Sequence, residues 1–167
     1  MIHVYTGNGK GKTTAALGLA LRARGAGLKV YIGQFCKGRE HSELKLLRKI
    51  KGIKIEQFGR SCFIRKKTLN LDRELAQRGW EKIKKIIQAK EYDMIILDEI
   101  NICFYYNLLQ VKKTKDILKS ASKDTEIILT GRYAPREIVE IADLVSEIKE
   151  LKHYFNKGAK ARKGIEF

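Results

Sequence analysis

The sequence predicts an α/β fold, a mostly parallel central sheet flanked by helices on both faces. Three observations predict it. Apolar runs of strand length alternate with longer helix-patterned segments along the whole chain. One of them, Met94-Ile95-Ile96-Leu97, is apolar without interruption, as suits a central strand covered on both sides. A glycine-rich turn joins the first strand candidate to an Ala- and Leu-rich helical segment. With 167 residues, no internal repeat and no low-complexity linker, the chain reads as one domain, 1–167.

The elements follow in order. Residues 2–5 (Ile-His-Val-Tyr) form the first strand, and residues 13–24 a helix closed by Gly25. Residues 28–35 are a second strand, and residues 53–58, with alternating Ile, a third and edge-like one. Asn70 can cap a long helix to about Lys90, with Leu71, Leu75, Ile83, Ile86 and Ile87 on its apolar face. The apolar run ending at Leu97 leads into Asp98-Glu99. Residues 108–119 are helical, residues 126–130 form a buried strand, and Pro135 opens a helix at its N1 position. Residues 144–148 are the last strand, and the segment from Lys149 is basic with weak periodicity.

Composition narrows the setting. The longest apolar runs fall far short of the roughly 20 residues of a membrane span, and the N-terminus lacks the basic region and length of a signal peptide, so the chain reads as cytoplasmic. Three cysteines (Cys36, Cys62, Cys103) and three histidines show no CxxC pair and no zinc-ligand spacing, which points to reduced, structural thiols. The formal charge of +16 raises the question of nucleic acid. However, the basic residues are scattered over segments that also carry Asp and Glu, and dispersed solvation is the preferred reading.

The chemistry sits at Gly7-Asn8-Gly9-Lys10-Gly11-Lys12-Thr13-Thr14. The usual phosphate loop is G-x-x-x-x-G-K-[ST], and here Gly7 stands one position too close to Gly11. The glycines still let backbone N–H groups turn inward as a nest for phosphate oxygens, and the following helix adds its positive end. Lys12 is then placed to neutralise phosphate, and the Thr13 hydroxyl to hold magnesium. Asp98, ending a buried strand, matches the acid that reaches such a metal directly or through water. Glu99 is either a metal ligand or the base that orients water in a hydrolase; spacing leaves both open. ATP with Mg²⁺ or Mn²⁺ is the expected ligand.

Several segments together resemble the ATP:cob(I)alamin (corrinoid) adenosyltransferases. They are residues 5–15 with the shortened loop, Gln34-Phe35-Cys36-Lys37-Gly38, Leu97-Asp98-Glu99-Ile100-Asn101 and Leu129-Thr130-Gly131-Arg132 with Ala134-Pro135. Ala142-Asp143-Leu144-Val145-Ser146-Glu147, Lys152-His153-Tyr154-Phe155, Gly158 and Gly164-Ile165-Glu166 complete the series in the family's order. The resemblance implies a RecA-like phosphate-loop fold and a reaction unlike hydrolysis. Co(I) of a reduced corrinoid (cobalamin, cobinamide or cobyrinic acid diamide) attacks C5′ of ATP and expels triphosphate. The nucleophile belongs to the corrinoid, so the protein's part is positioning and charge stabilisation.

The same resemblance implies that ATP lies with its ends reversed relative to other phosphate-loop enzymes. Lys12 and Glu99 would act on the leaving group, Thr13, Glu99 and Asp98 would hold the metal, and Lys10 and Arg132 would reach phosphate or ribose. Phe63 would pack on the corrin face, while Arg65 stands where some members carry Trp. The sequence starts at its first strand without the N-terminal extension of some members, and Arg162 stands where Gln is common. A homodimer is implied, and the net charge suits docking of an acidic flavoprotein reductant. The competing readings are a phosphate-loop ATPase acting on nucleic acid and a nucleotide-binding module without turnover.

Overall fold

A computed structural model of the chain describes residues 1–60 and 70–167. Six strands form one sheet: β1 (Ile2–Thr6), β2 (Val30–Phe35), β3 (Ile53–Phe58), β4 (Met94–Asp98), β5 (Glu126–Thr130) and β6 (Leu144–Glu147). Their order is β3-β2-β4-β5-β1-β6, and every pairing is parallel. The expected mostly parallel sheet is therefore parallel throughout its described strands.

Period-2 alternation assigns each strand residue to a face. Met94 and Ile96 pack with Val30, Ile32 and Ile128 against Ala16, Leu17, Ala20 and Ala23 of α1 (Lys12–Gly25). Ile95 and Leu97 face the other way, into a cluster with Tyr31, Phe35, Trp80, Ile83, Phe104 and Ile138. Small alanines on the buried stripe let α1 lie close over the sheet, while the opposite face is filled by aromatics. Both faces of β4 are covered, which is why its sequence is apolar at every position.

α3 (Asn70–Ala89) crosses that second face. Its buried stripe is Asp72, Ala76, Gly79, Trp80, Ile83 and Ile87. The expected face was rotated too far, since Leu71 is 47% exposed. Asp72 takes the inward position because Arg60 grips it with two bonds, 2.6 Å to Oδ1 and 2.9 Å to Oδ2. At Gly79 the helix meets β3 so closely that a Cβ would stand 2.7 Å from Phe58 Cδ2. Alanine improves helix propensity by about 1 kcal/mol, whereas forcing a methyl into a packed core costs about 1–3 kcal/mol. Gly79→Ala is thus expected to lower the midpoint of thermal unfolding, and an unchanged or raised midpoint would show that Phe58 can move aside.

Shorter elements depart from expectation. α2 (Ser42–Leu47) and α4 (Ile100–Tyr105) are additional helices of six residues each. The run Ile-Asn-Ile-Cys-Phe-Tyr of α4 is β-branched and aromatic, and Ile100, Cys103 and Phe104 are buried, so tertiary packing overrides propensity there. α5 spans Val111–Lys119 and not 108–119, because Leu108 and Leu109 first close the chain onto Cys103 O. Pro135 is the N-cap of α6 (Arg136–Val139), with ψ 144°, and not its N1 residue. β2 begins at Val30, two residues later than expected, after a turn at Gly27. The C-terminal stretch carries one 3₁₀ turn, Tyr154–Lys157. Among the described residues no helix is long and apolar enough to cross a membrane.

Candidate functional site

All strands being parallel, their C-terminal ends share one edge of the sheet, where ligands bind in open α/β folds. The loop between β1 and α1 lies at that edge. Gly7 adopts φ 96° and Gly11 φ 117°, and a Cβ on Gly9 would stand 2.8 Å from Ile148 O and from the Lys149 backbone. Gly9 N–H donates to Ile148 O at 2.7 Å, so the loop rests on the chain leaving β6. Gly11 caps α1 without a side-chain bond, and the first turn holds no acid. The positive end of a 14-residue helix is thus left to an external anion.

Lys12 is buried, and its ammonium donates to the carbonyls of Gly7 at 2.8 Å and Gly9 at 2.6 Å. The side chain closes its own loop from within. Burial depresses its pKa, reinforced by Arg132 and Lys37 and opposed by Glu99 and Asp98. Asn8 and Thr14 are exposed at the rim.

The period-2 rule carries three further residues to the α1 face. Gln34 follows Val30 and Ile32, Asp98 follows Met94 and Ile96, and Thr130 follows Ile128, each at a strand's end. They meet Thr13 from the start of α1. Asp98 is fully buried, and four donors saturate its carboxylate. Oδ1 accepts from Thr13 Oγ1 at 2.8 Å and Thr130 Oγ1 at 2.6 Å. Oδ2 accepts from Gln34 Nε2 at 3.0 Å and Lys37 Nζ at 2.7 Å. Burial alone would raise the Asp98 pKa, yet Lys37, Thr130 and Thr13 together hold it below the usual aspartate value.

Glu99 begins α4 in a left-handed conformation, φ 60°, with its N–H donating to Thr130 Oγ1 at 3.0 Å. That turn brings its carboxylate back beside Asp98, with Oε1 3.9 Å from Lys37 Nζ. Burial holds the Glu99 pKa above the usual glutamate value, and Asp98 adds to it against the pull of Lys37, Lys12 and Arg132. Gly131, φ 129°, lies under it: a Cβ there would stand 3.3 Å from Glu99 Oε2 and 3.0 Å from Asn101 Cβ. Asn101 is buried, donates to Gly131 O at 3.1 Å, and its Oδ1 has no hydrogen-bond partner among the described residues.

The structure therefore brings together Gly7, Gly9, Gly11, Lys12, Thr13, Asp98 and Glu99. Arg132 is exposed beyond Gly131, close enough to influence Lys12 and Glu99. Lys10 points elsewhere. Its ammonium is bound by the C-terminal segment: Glu166 Oε1 at 2.7 Å, Tyr154 OH at 2.8 Å and Ile165 O at 3.0 Å. Arg162 stacks over the same Tyr154 ring at 4.7 Å. Phe63, Arg65 and Cys62 lie outside the described residues. Cys36 and Cys103, distant in sequence, are free thiols with sulfurs 3.5 Å apart.

Sequence reasoning gave no role to Lys37, Gln34, Thr130 or Asn101. A signal was there for Gln34 and Thr130, each polar at the end of an otherwise apolar strand, and for Lys37 just beyond the end of β2, since in a parallel sheet that is the binding edge. Lys37 Nζ lies 3.1 Å from Thr13 Oγ1 as well as 2.7 Å from Asp98 Oδ2. Burial would lower its pKa, but Asp98 and Glu99 outweigh burial and hold it above the usual lysine value.

Comparison with known proteins agrees with this architecture. A solved KaiC-like protein from Pyrococcus horikoshii OT3 superposes with a TM-score of 0.54 over 90% of this chain and 72% of its own, at 17% identity. That is a likeness of fold, the RecA-like phosphate-loop α/β class. Among curated proteins, a corrinoid adenosyltransferase of Escherichia coli K12 is 35% identical over 167 residues, all of this chain and 85% of the relative. A corrinoid adenosyltransferase of Sinorhizobium is 36% identical over all of this chain and 80% of its own length. The corrinoid adenosyltransferase CobA of Salmonella typhimurium is 34% identical, with 100% and 85% covered. The family model ATP:corrinoid adenosyltransferase BtuR/CobO/CobP matches residues 1–167 without a gap at either end, and on that full-length match the chain belongs to the ATP:corrinoid adenosyltransferase family.

Proposed function

We propose that the protein transfers the 5′-deoxyadenosyl group of ATP to the Co(I) centre of a reduced corrinoid and releases triphosphate. The geometric observation that carries this reading is the contact of Thr13 with Asp98. It joins the uncapped end of α1 to the acidic strand end, beside Lys12 and Lys37. In the reaction a Co–C5′ bond forms while the C5′–O5′ bond breaks, and the bonding pair leaves with the triphosphate. Catalysis then amounts to holding C5′ in line and stabilising charge on the departing oxygens. Loop N–H groups, the end of α1 and Lys12 supply that stabilisation, with Arg132 at the rim.

Residues Thr13, Asp98 and Glu99 fit a divalent metal, Mg²⁺ or Mn²⁺. Their oxygens surround a cationic ammonium, Lys37 Nζ at 3.1, 2.7 and 3.9 Å, so the site already favours positive charge. When bound, the metal would neutralise triphosphate oxygens as they take up the electron pair. Glu99 is read as a metal ligand and not a base, because this reaction activates no water. The single domain 1–167, a homodimer and a cytoplasmic setting belong to the same reading, with Phe63 against the corrin. Cobalamin, cobinamide or cobyrinic acid diamide is the acceptor. With a net charge of +16, an acidic flavoprotein is the fitting reductant, and its rate of corrinoid reduction should fall as ionic strength rises.

The decisive assay incubates the protein anaerobically with MgATP and chemically reduced cob(I)alamin, following the corrin spectrum and triphosphate release. Cobalt alkylation with stoichiometric triphosphate is expected. Release of phosphate stimulated by DNA or RNA, without alkylation, would instead make it a nucleic-acid ATPase.

A further inference from the structure

Lys37 is not absorbed by the reaction above, yet it occupies the centre of the metal-ligand set. Its Nζ shares Thr13 Oγ1 and Asp98 Oδ2 at hydrogen-bond distance and faces Glu99 Oε1. These are the oxygens assigned to the metal, so this inference rests on that assignment. An ammonium and a divalent cation cannot share them, because two cations at such spacing in a buried pocket repel strongly.

The main chain of Lys37 has little room to shift. Cys36 N–H donates to Phe58 O at 3.2 Å. A Cβ on Gly38 would stand 2.6 Å from the Arg60 carbonyl carbon, and one on Gly59 would collide with Lys37 N. The strand end is thus clamped to the chain following β3, and only the four-carbon side chain is free to swing. Asp98, meanwhile, is buried and needs a cation beside it at all times.

We infer that Lys37 is a tethered cation which holds the metal position, so that the divalent ion enters only together with nucleotide. A lone metal ion would have to expel a well-bonded ammonium into a neighbourhood already containing Lys12 and Arg132. A metal–triphosphate complex brings anionic oxygens that receive the expelled ammonium, and the exchange then keeps every charge paired. Lys37 is accordingly a positioning residue that couples metal entry to nucleotide entry.

Mn²⁺ binding, read by electron paramagnetic resonance, tests this without any turnover. The wild-type protein should bind Mn²⁺ poorly alone and well with ATP. Lys37→Met, neutral and of similar length, should bind Mn²⁺ without ATP about tenfold or more tightly than wild type, since the like charge is gone. Adding Glu99→Gln to Lys37→Met should abolish the gain. Equal ATP-free affinity in wild type and a folded Lys37→Met overturns the inference, as does tight ATP-free binding by wild type. If Thr13→Ala and Glu99→Gln bind Mn²⁺–ATP as tightly as wild type does, the metal assignment itself falls and this inference with it.

Should Lys37→Met not fold, ¹⁵N-lysine NMR of the wild type decides. A protected Lys37 ammonium resonance should persist with Mg²⁺ alone and change its shift and exchange with MgATP. A resonance indifferent to MgATP, or already displaced by Mg²⁺ alone, overturns the inference.

Discussion

Asp98→Ala is expected to lower the thermal midpoint of the ligand-free protein by roughly 6–20 °C, from a loss of about 3–5 kcal/mol in a chain of this size. Asp98 is fully buried and accepts from Thr13, Thr130, Gln34 and Lys37. Removing it leaves a largely buried ammonium with only the more distant Glu99 carboxylate, 3.9 Å away, and three donors unpaired, which is the expensive way to break an ion pair. The double variant Asp98→Ala, Lys37→Met should recover much of the loss, and additive losses would refute the coupling.

The acid limb follows from the same group. The folded-state pKa of Asp98 lies below its ordinary 3.8, so its contribution is fully present above that value and vanishes as pH falls through the folded one. Asp98→Asn should therefore lower stability at neutral pH and flatten its dependence on acid. Chemical denaturation at pH 7 and at pH 3 reads both effects, and parallel pH profiles would contradict the assigned pKa direction.

Lys12→Ala is expected to reduce adenosyl transfer by about 10²–10³-fold or more, the scale for removing one preorganised donor from developing negative charge. Stability should change far less, by about 1–2 kcal/mol, because the lost bonds are two donations to loop carbonyls. Lys12→Arg should not restore the rate. A planar guanidinium is bulkier than the ammonium that sits within 2.8 Å of both carbonyls, and it differs in shape as well as size. Single-turnover transfer to cob(I)alamin, followed spectrally, measures this. Full activity in Lys12→Ala would remove Lys12 from the chemistry and leave it only a role in closing the loop.

How legible the molecule was depended on how far each signal extended. β4 was plain because burial on both faces makes every residue from Met94 to Leu97 apolar. α1 was plain because a glycine turn and an alanine-rich segment share one reading at every level. α2 and α4 were missed because six residues are too few to display a helical period, and the sequence of α4 favours strand. The buried stripe of α3 lies one position from the one its apolar residues suggest, because Asp72 turns inward only with Arg60 beside it.

For the site, residues contiguous in sequence were readable and residues joined across the sheet were not. The loop from Gly7 to Thr14 and the Asp98-Glu99 pair carry their chemistry in local patterns: glycine spacing, a lysine in register and an acid after a buried run. Sequence alone thus determined the parallel α/β class, the phosphate loop and, through the ordered motifs, the family.

Tertiary structure decided which polar side chains converge. Gln34 and Lys37 come from the end of β2 and the turn just after it, Thr130 from the end of β5, and their meeting at Asp98 on the end of β4 depends on the order β2-β4-β5 and the register within it. It also decided that Lys10 turns to Glu166 and Tyr154, because the return of the C-terminal segment leaves no mark near residue 10. The physical reason is one of range. Propensity and periodicity act over a few residues, whereas ion pairing and burial act between whichever groups the sheet places side by side.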